Sequence, residues 1–191
     1  MDISKLLGGG LGNKVITGIS QRLNMEESET SSVVNAATPV ILGMLKSNAS
    51  SEGGAGSLLN ALNQHNGNIL DNISDFFNQQ GTSEGKDILA HILGDKQTAV
   101  ENQISRQTGV SKGKINNVMA LLAPIIMGQI GKKVNLENIS SGQGINELLG
   151  NIIEGSDGGN ILGSIMDSVT GNKNKSGKGL GDMLGGILGK K

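Results

Sequence analysis

The strongest constraint in this sequence is an internal duplication. When the chain is aligned with itself so that Pro39 falls on Pro124, its only two prolines coincide, and Gly43 and Gly128 coincide as well. Apolar residues fall on apolar residues around them, pairing Met25 with Val110, Val33 with Val118, Ala37 with Leu122, and Ile41 with Ile126. Because two copies of one fold bury the same positions, this agreement predicts a repeated structural unit.

The similarity continues along the chain, with small insertions that change the alignment register. GNIL at 67–70 matches GNIL at 159–162, and DILAHILGDK at 87–96 matches DMLGGILGKK at 182–191. LGNK at 11–14 resembles LGDK at 93–96 and LGKK at 188–191. The predicted organisation is a leader at 1–14, helical unit A at 15–96, helical unit B at 97–170, a flexible linker at 171–179 and a C-terminal amphipathic helix at 180–191.

Each unit has the pattern of short helices. A helix is predicted at 13–23 and at 97–107, with a break at Asn24 or Gly109, and a second apolar stripe at helical spacing runs through each proline. Because proline lacks a backbone donor and its ring clashes with the preceding turn, this helix should kink or split there. The predicted fold is therefore all-α and multihelical, with two tandem copies of a short-helix unit and a proline-kinked central helix.

Glycine content shapes the expected packing. The chain has 31 glycines, and its only aromatic residues are Phe76 and Phe77. Small residues allow short helices to pack closely, although glycine loses much backbone entropy on folding, so we expect modest stability. The stretch from Ser47 to Gly56 is predicted as a loop, and Gly43 and Gly128 as places where another helix approaches closely.

The absence of cysteine and of a long apolar stretch bears on where the protein is located. The chain has no cysteine, which excludes disulfides and thiolate chemistry. The longest apolar stretch, from Val118 to Met127, is about half of the 20 or so residues that a transmembrane helix needs, and the N-terminus lacks the pattern of a secretory signal. We expect no transmembrane segment and a cytoplasmic location.

No group of residues points to catalysis. His65 and His91 are far apart in the sequence and lack a partner at i+4, so they are interpreted as surface histidines and not as metal ligands. The glutamates at 26, 27 and 29 open a helix, whose positive N-terminal dipole attracts carboxylates. The glycine clusters lack the pattern of a phosphate-binding loop. We therefore predict a protein that is not an enzyme, with no catalytic residue, cofactor or metal.

One segment supports an alternative. Residues 104–122 have the pattern of a helix-turn-helix, in which the second helix would face DNA. The possible contacts are Lys112, Lys114, Asn116 and Asn117. The corresponding part of unit A carries the three glutamates, which would repel phosphate, and the net charge of the chain is −1. Nucleic acid is therefore an unfavoured partner, and the DNA-binding module stays an alternative.

The favoured function is a non-enzymatic structural or interaction protein that self-associates. Residues 1–96 carry 6 basic and 10 acidic residues, a net charge of −4, whereas residues 97–191 carry 10 basic and 7 acidic residues, a net charge of +3. Opposite charges favour contacts within or between chains, so a homo-oligomer or another protein is the expected partner. The residues predicted to dock on a neighbouring chain are Leu180, Met183, Leu184, Ile187 and Leu188.

A second alternative is peripheral binding to a membrane surface through the Gly/Leu-rich tail. This tail has a weak apolar face and few cations beyond Lys190 and Lys191, whereas helices that lie on membranes usually combine an apolar face with several cations. The alternative stays open on the sequence alone.

The two proline segments also carry a family resemblance. ATPVILG at 37–43 and APIIMG at 123–128 lie between Leu/Gly-rich segments. In this arrangement the chain resembles the bacterial YidB-like family, a domain of unknown function numbered 937, over most of residues 1–170. The resemblance implies a multihelical, soluble bacterial protein and brings no catalytic residues with it.

Overall fold

The computed structural model describes residues 6–7, 9–65, 67–79 and 82–154. Within these ranges the chain forms helices and no strand, which confirms the all-α class. A 3-10 turn, Gly94–Lys96, separates the helix that ends at Leu93 from the helix that begins at Gln97. The α-helices are α1 (Gly9–Leu23), α2 (Glu27–Ala49), α3 (Gly54–Gln64), α4 (Asn68–Asp71), α5 (Ile73–Gln79), α6 (Thr82–Leu93), α7 (Gln97–Thr108), α8 (Lys112–Leu136) and α9 (Gly142–Glu154).

Helices α2 and α8 form the centre of the core. They pack against each other, α2 also contacts α1, α3, α6, α7 and α9, and α8 also contacts α1, α3, α4, α6 and α7. As a result, every residue from 36 to 45 and from 118 to 128 is buried. A helix that is apolar on all sides is stable in water only when it is covered on all sides, and this arrangement supplies that cover.

Both prolines lie inside these central helices. Pro39 lies within α2 and Pro124 within α8, and each helix continues on both sides of its proline. Of the two outcomes predicted at each proline, a kink or a split, the split is therefore wrong. An interior proline costs about 3 kcal/mol, and the tertiary packing around each central helix outweighs that cost. The bend at each proline stays a prediction.

The connections that lead into α2 and α8 have the same backbone geometry. The chain turns at Asn24 (φ 49°) and at Gly109 (φ 74°), both in the left-handed region. Glycine and, to a lesser extent, asparagine tolerate this region, which explains these residue types at the two breaks. The following N-cap residues are also alike, with φ −65° and ψ 141° at Glu26 and φ −66° and ψ 146° at Ser111. The breaks fall where the sequence indicates them.

The helix that follows each central helix packs against the other central helix. Helix α3 packs against α8, and α9 packs against α2. Gly131 allows the first contact, because a Cβ atom there would overlap the carbonyl oxygen of His65 at the end of α3. In the second contact, the Asn146 side chain donates to the carbonyl oxygen of Ala49 at 3.3 Å and accepts from Ser50 Oγ at 3.0 Å.

Two glycine-related predictions have different outcomes. Gly128 does allow a close approach, because a Cβ atom there would lie 2.7 Å from Ile69 Cγ2. The loop predicted from Ser47 to Gly56 is wrong in its bounds, since α2 continues to Ala49 and α3 begins at Gly54. Tertiary contact explains the longer helix, because the Asn48 side chain donates to the carbonyl oxygen of Ile92 at 3.0 Å.

Candidate interaction groove

An open groove runs between α3 and α6. Leu45 of α2 and Met127 of α8 line it from the core, and Leu58, Ala61, Ile88 and Ile92 line it from the two flanking helices. Its volume is about 530 Å³. Binding pockets typically have volumes of about 300–1,000 Å³ and a mostly apolar lining, so the groove has the size and chemistry of a binding surface.

The sequence of α3 explains why the groove is open. Ser57 and Ala61 lie four residues apart on the side of α3 that lines the groove, while Leu58 and Leu62 are buried. Small side chains on one face of a helix leave space beside it that larger residues would fill.

Helix α6, which forms the other wall, is held tightly against α8. A Cβ atom at Gly85 would overlap the carbonyl oxygen of Ala120, so the two backbones are in direct contact there. Further along α6, Leu89 is fully buried. Because α6 is fixed in this way, the groove has one rigid wall.

Both histidines lie at this groove. His65 Nδ1 lies 2.9 Å from the carbonyl oxygen of Ala61, and His91 Nδ1 lies 2.8 Å from that of Asp87. Because a carbonyl oxygen only accepts hydrogen bonds, Nδ1 carries the proton in both rings. His65 Nε2 then lies 3.7 Å from Glu84 Oε1.

The sequence interpretation of these histidines is correct only in part. His91 is exposed, whereas His65 is half-buried. No local pattern indicates that they share a site, because α3 and α6 are brought to the groove by their separate packing on α2 and α8. Together with Glu84 and Asp87 they place polar groups around an apolar centre. Such an arrangement is typical of grooves that bind an amphipathic helix.

The residues predicted to contact DNA are partly engaged within the chain. Lys114 Nζ lies 3.0 Å from Glu29 Oε2, and Asn116 Nδ2 donates to Glu101 Oε1 at 2.7 Å. Lys112 is exposed and Asn117 is half-buried. Within residues 104–122, the part of α8 that reaches solvent ends before Val118, because residues 118–122 are buried. DNA binding stays a prediction, with a smaller surface than the sequence indicated.

Two of the three glutamates at the start of α2 connect this helix to other helices. Glu27 and Glu29 lie in the first turn, as expected from the helix dipole, while Glu26 occupies the N-cap position without a side-chain cap hydrogen bond. Glu27 Oε1 accepts a hydrogen bond from Thr17 Oγ1 at 2.7 Å, which links α1 to α2. Glu29 links α2 to α8 through its contact with Lys114.

Several predicted features fall in other parts of the chain. The linker at 171–179 lies outside the described residues, and so do Leu180, Met183, Leu184, Ile187 and Leu188. In the part of the chain that the structure describes, no helix is long and apolar enough to cross a membrane. The same part contains no group of three or more His, Cys, Asp or Glu residues that could hold a metal ion.

The fold defines a class of all-helical proteins with two buried, proline-containing central helices. Residues 5–133 match the family described as bacterial protein of unknown function (DUF937). This match covers more than half of the chain, which therefore belongs to that family, and the resemblance seen in the sequence is confirmed. No curated protein and no solved structure matches the chain.

Proposed function

We propose that this protein is a non-enzymatic interaction protein of the cytoplasm that self-associates through the groove between α3 and α6. The observation that carries the proposal is this groove, in which Leu45 and Met127 form a buried apolar floor while Ala61 and Ile88 are partly exposed. A concave site with a mostly apolar lining and a few polar groups is the usual form of a binding site. The absence of cysteine is compatible with a reducing compartment.

We also propose that the two halves are copies of one unit, related by an approximate twofold axis. Glu29 and Lys114 are equivalent in the alignment that superimposes the two prolines, and their side chains lie 3.0 Å apart. Equivalent residues of two copies meet each other where a twofold axis passes between them. The reciprocal packing of α3 against α8 and of α9 against α2 supports the same relation.

Light scattering over a range of protein concentrations tests self-association. We expect the mass of the unmodified chain to rise with concentration. Ile88→Lys introduces a charge into the wall of the groove and should keep the chain monomeric over the same range. The matched control is Ala90→Lys, which adds the same charge at an exposed position of the same helix that does not line the groove.

The size of the effect follows from burial. Covering an isoleucine side chain contributes about 1.5–3 kcal/mol, so Ile88→Lys should weaken association by about ten- to a hundredfold. Circular dichroism of both variants establishes that each keeps the helical fold. A parent chain that stays monomeric at every concentration, or equal weakening by both lysines, contradicts the proposal.

A further inference from the structure

We infer that the groove between α3 and α6 binds residues 180–191 of a second copy of the chain. We call these residues the C-terminal segment. The inference rests on the proposed self-association and names the partner of the same groove.

The C-terminal segment matches the groove in length. It has 12 residues, and the walls of the groove are helices of 11 and 12 residues. At 1.5 Å per residue, each of these helices is about 17–18 Å long, and so is the segment in the helical form that its sequence predicts. One such helix would therefore fill the groove along its length.

The segment also has the required apolar pattern. Its large apolar residues recur at i, i+3, i+4, i+7 and i+8, which places them on one face of a helix. They are Leu180, Met183, Leu184, Ile187 and Leu188. An amphipathic helix that lays such a face into an apolar groove is a recurring mode of peptide recognition.

Charge favours the same pairing. The wall formed by α6 contributes the carboxylates of Glu84 and Asp87 to the groove. Residues 171–191 contain five lysines, two of them at the end of the segment, against a single acidic residue, Asp182. Opposite charges on the two surfaces speed association and suppress wrong partners.

An alternative binding surface for the segment is the part of α2 that corresponds, in the sequence alignment, to the part of α8 that α6 covers. The contact of α6 depends on Gly85, where a Cβ atom would overlap the carbonyl oxygen of Ala120. In the sequence alignment Leu180 replaces Gly85, and Asn35 replaces Ala120. Both replacements are larger, so the close approach cannot be repeated there, and this argues for another binding surface for the segment.

The connection to the segment is long enough to reach a neighbouring copy. Helix α9 ends at Glu154, and residues 155–179 separate it from Leu180. Residues 171–179 of this connection are predicted as a flexible linker, and these nine residues alone span up to about 30–32 Å when extended. Because each copy carries one groove and one segment, the contact is head-to-tail.

Cysteine cross-linking tests the inference on the full chain. The protein has no cysteine, so each introduced thiol is unique. One variant carries Ser57→Cys in the groove, and the other carries Met183→Cys in the C-terminal segment. After the two are mixed in equal amounts and oxidised, we expect the disulfide-linked heterodimer in at least fivefold excess over the product obtained with a control variant.

The control replaces Asn63 with cysteine. Asn63 is exposed on α3 and does not line the groove, so Asn63→Cys offers a thiol on the same helix away from the proposed contact. Equal yields from Ser57→Cys and Asn63→Cys would overturn the inference. A chain that carries both Ser57→Cys and Met183→Cys and forms only an intramolecular disulfide would also overturn it, because the segment would then bind its own groove.

Deletion of residues 177–191 separates this inference from the proposed function. If the parent assembles and the deletion makes it monomeric, the inference is supported. If the parent assembles and the deletion leaves its mass per assembly unchanged apart from the lost residues, the inference fails and self-association stands. If the parent is monomeric at every concentration, both fail.

Discussion

The two central helices correspond in the sequence alignment, yet they differ in the polarity of the side chains that they bury. Helix α8 buries Ile115 and Ala123 where α2 buries Thr30 and Thr38. The Thr38 hydroxyl donates to the carbonyl oxygen of Val34 at 2.7 Å, whereas Thr30 Oγ1 and Asn35 Oδ1 are buried with no hydrogen-bond partner among the described residues. The same local architecture therefore accepts an apolar and a partly polar central helix.

Because of this difference, the two helices are expected to contribute unequally to stability. A buried polar group without a partner costs about 1–3 kcal/mol, so α2 is the less favourable of the two. Helix α8 instead combines a fully apolar middle with the glycine-mediated contact of α6, which forms one wall of the groove. We infer that α8 contributes more to stability, while both helices contribute a residue to the lining of the groove.

The largest expected effect comes from breaking the contact between α6 and α8. Alanine normally stabilises a helix relative to glycine, but at Gly85 its Cβ atom would overlap the backbone of Ala120. We expect Gly85→Ala to destabilise the fold by about 1–3 kcal/mol, because the helices must move apart. Thermal unfolding followed by circular dichroism measures the change, at about 2–4 °C per kcal/mol for a chain of this size.

The control for this variant is Gly113→Ala near the start of α8. A Cβ atom there would meet nothing within 4 Å, so the substitution should be neutral or should raise stability by up to about 1 kcal/mol. Equal melting temperatures for the two variants would contradict the proposed packing of α6.

A smaller effect, of opposite sign, is expected from removing a buried hydroxyl of α2. Thr30→Val keeps the shape of the side chain and removes a buried hydroxyl that has no partner among the described residues. We expect a gain of about 1 kcal/mol in the free energy of unfolding, measured by urea denaturation. Thr38→Val is the matched control, because it removes a hydroxyl that does have a partner and should give no such gain. Destabilisation by Thr30→Val would show that this hydroxyl has a partner after all.

The smallest effect concerns the ion pair between the two halves. Glu29 and Lys114 have side chains that are 41% and 47% exposed, so their interaction is screened by solvent. A double-mutant cycle with Glu29→Ala and Lys114→Ala should give a coupling energy of about 0.2–1 kcal/mol, and high salt should reduce it. Zero coupling at low salt would remove this support for the approximate twofold axis.

Local sequence patterns predicted the local structure well. The breaks at Asn24 and Gly109 followed from residue types that favour turns, and the apolar stripes marked the buried faces. The continuous helices through Pro39 and Pro124 could not be predicted in the same way. Proline disfavours the interior of a helix locally, but whether the helix continues through it also depends on how many neighbouring helices cover the segment. The sequence does not give that number.

The groove was missed for a related reason. His65 and His91 are 26 residues apart in the sequence, and they line one groove because α3 and α6 both pack on α2 and α8. The small residues Ser57 and Ala61 of α3 are the available signal, since their helical spacing marks a face that leaves space beside it. Without knowledge of which helix lies opposite, that spacing alone does not define a groove.

Hydrogen exchange of the full chain at low and high protein concentration is the decisive measurement for the groove, because it reports which surface is covered on association. We predict that amide protection rises with concentration in α3 and α6, while α7 exchanges at the same rate in both samples. Protection that is independent of concentration, or that rises in α7 and not in α3 and α6, would show that the groove does not mediate self-association.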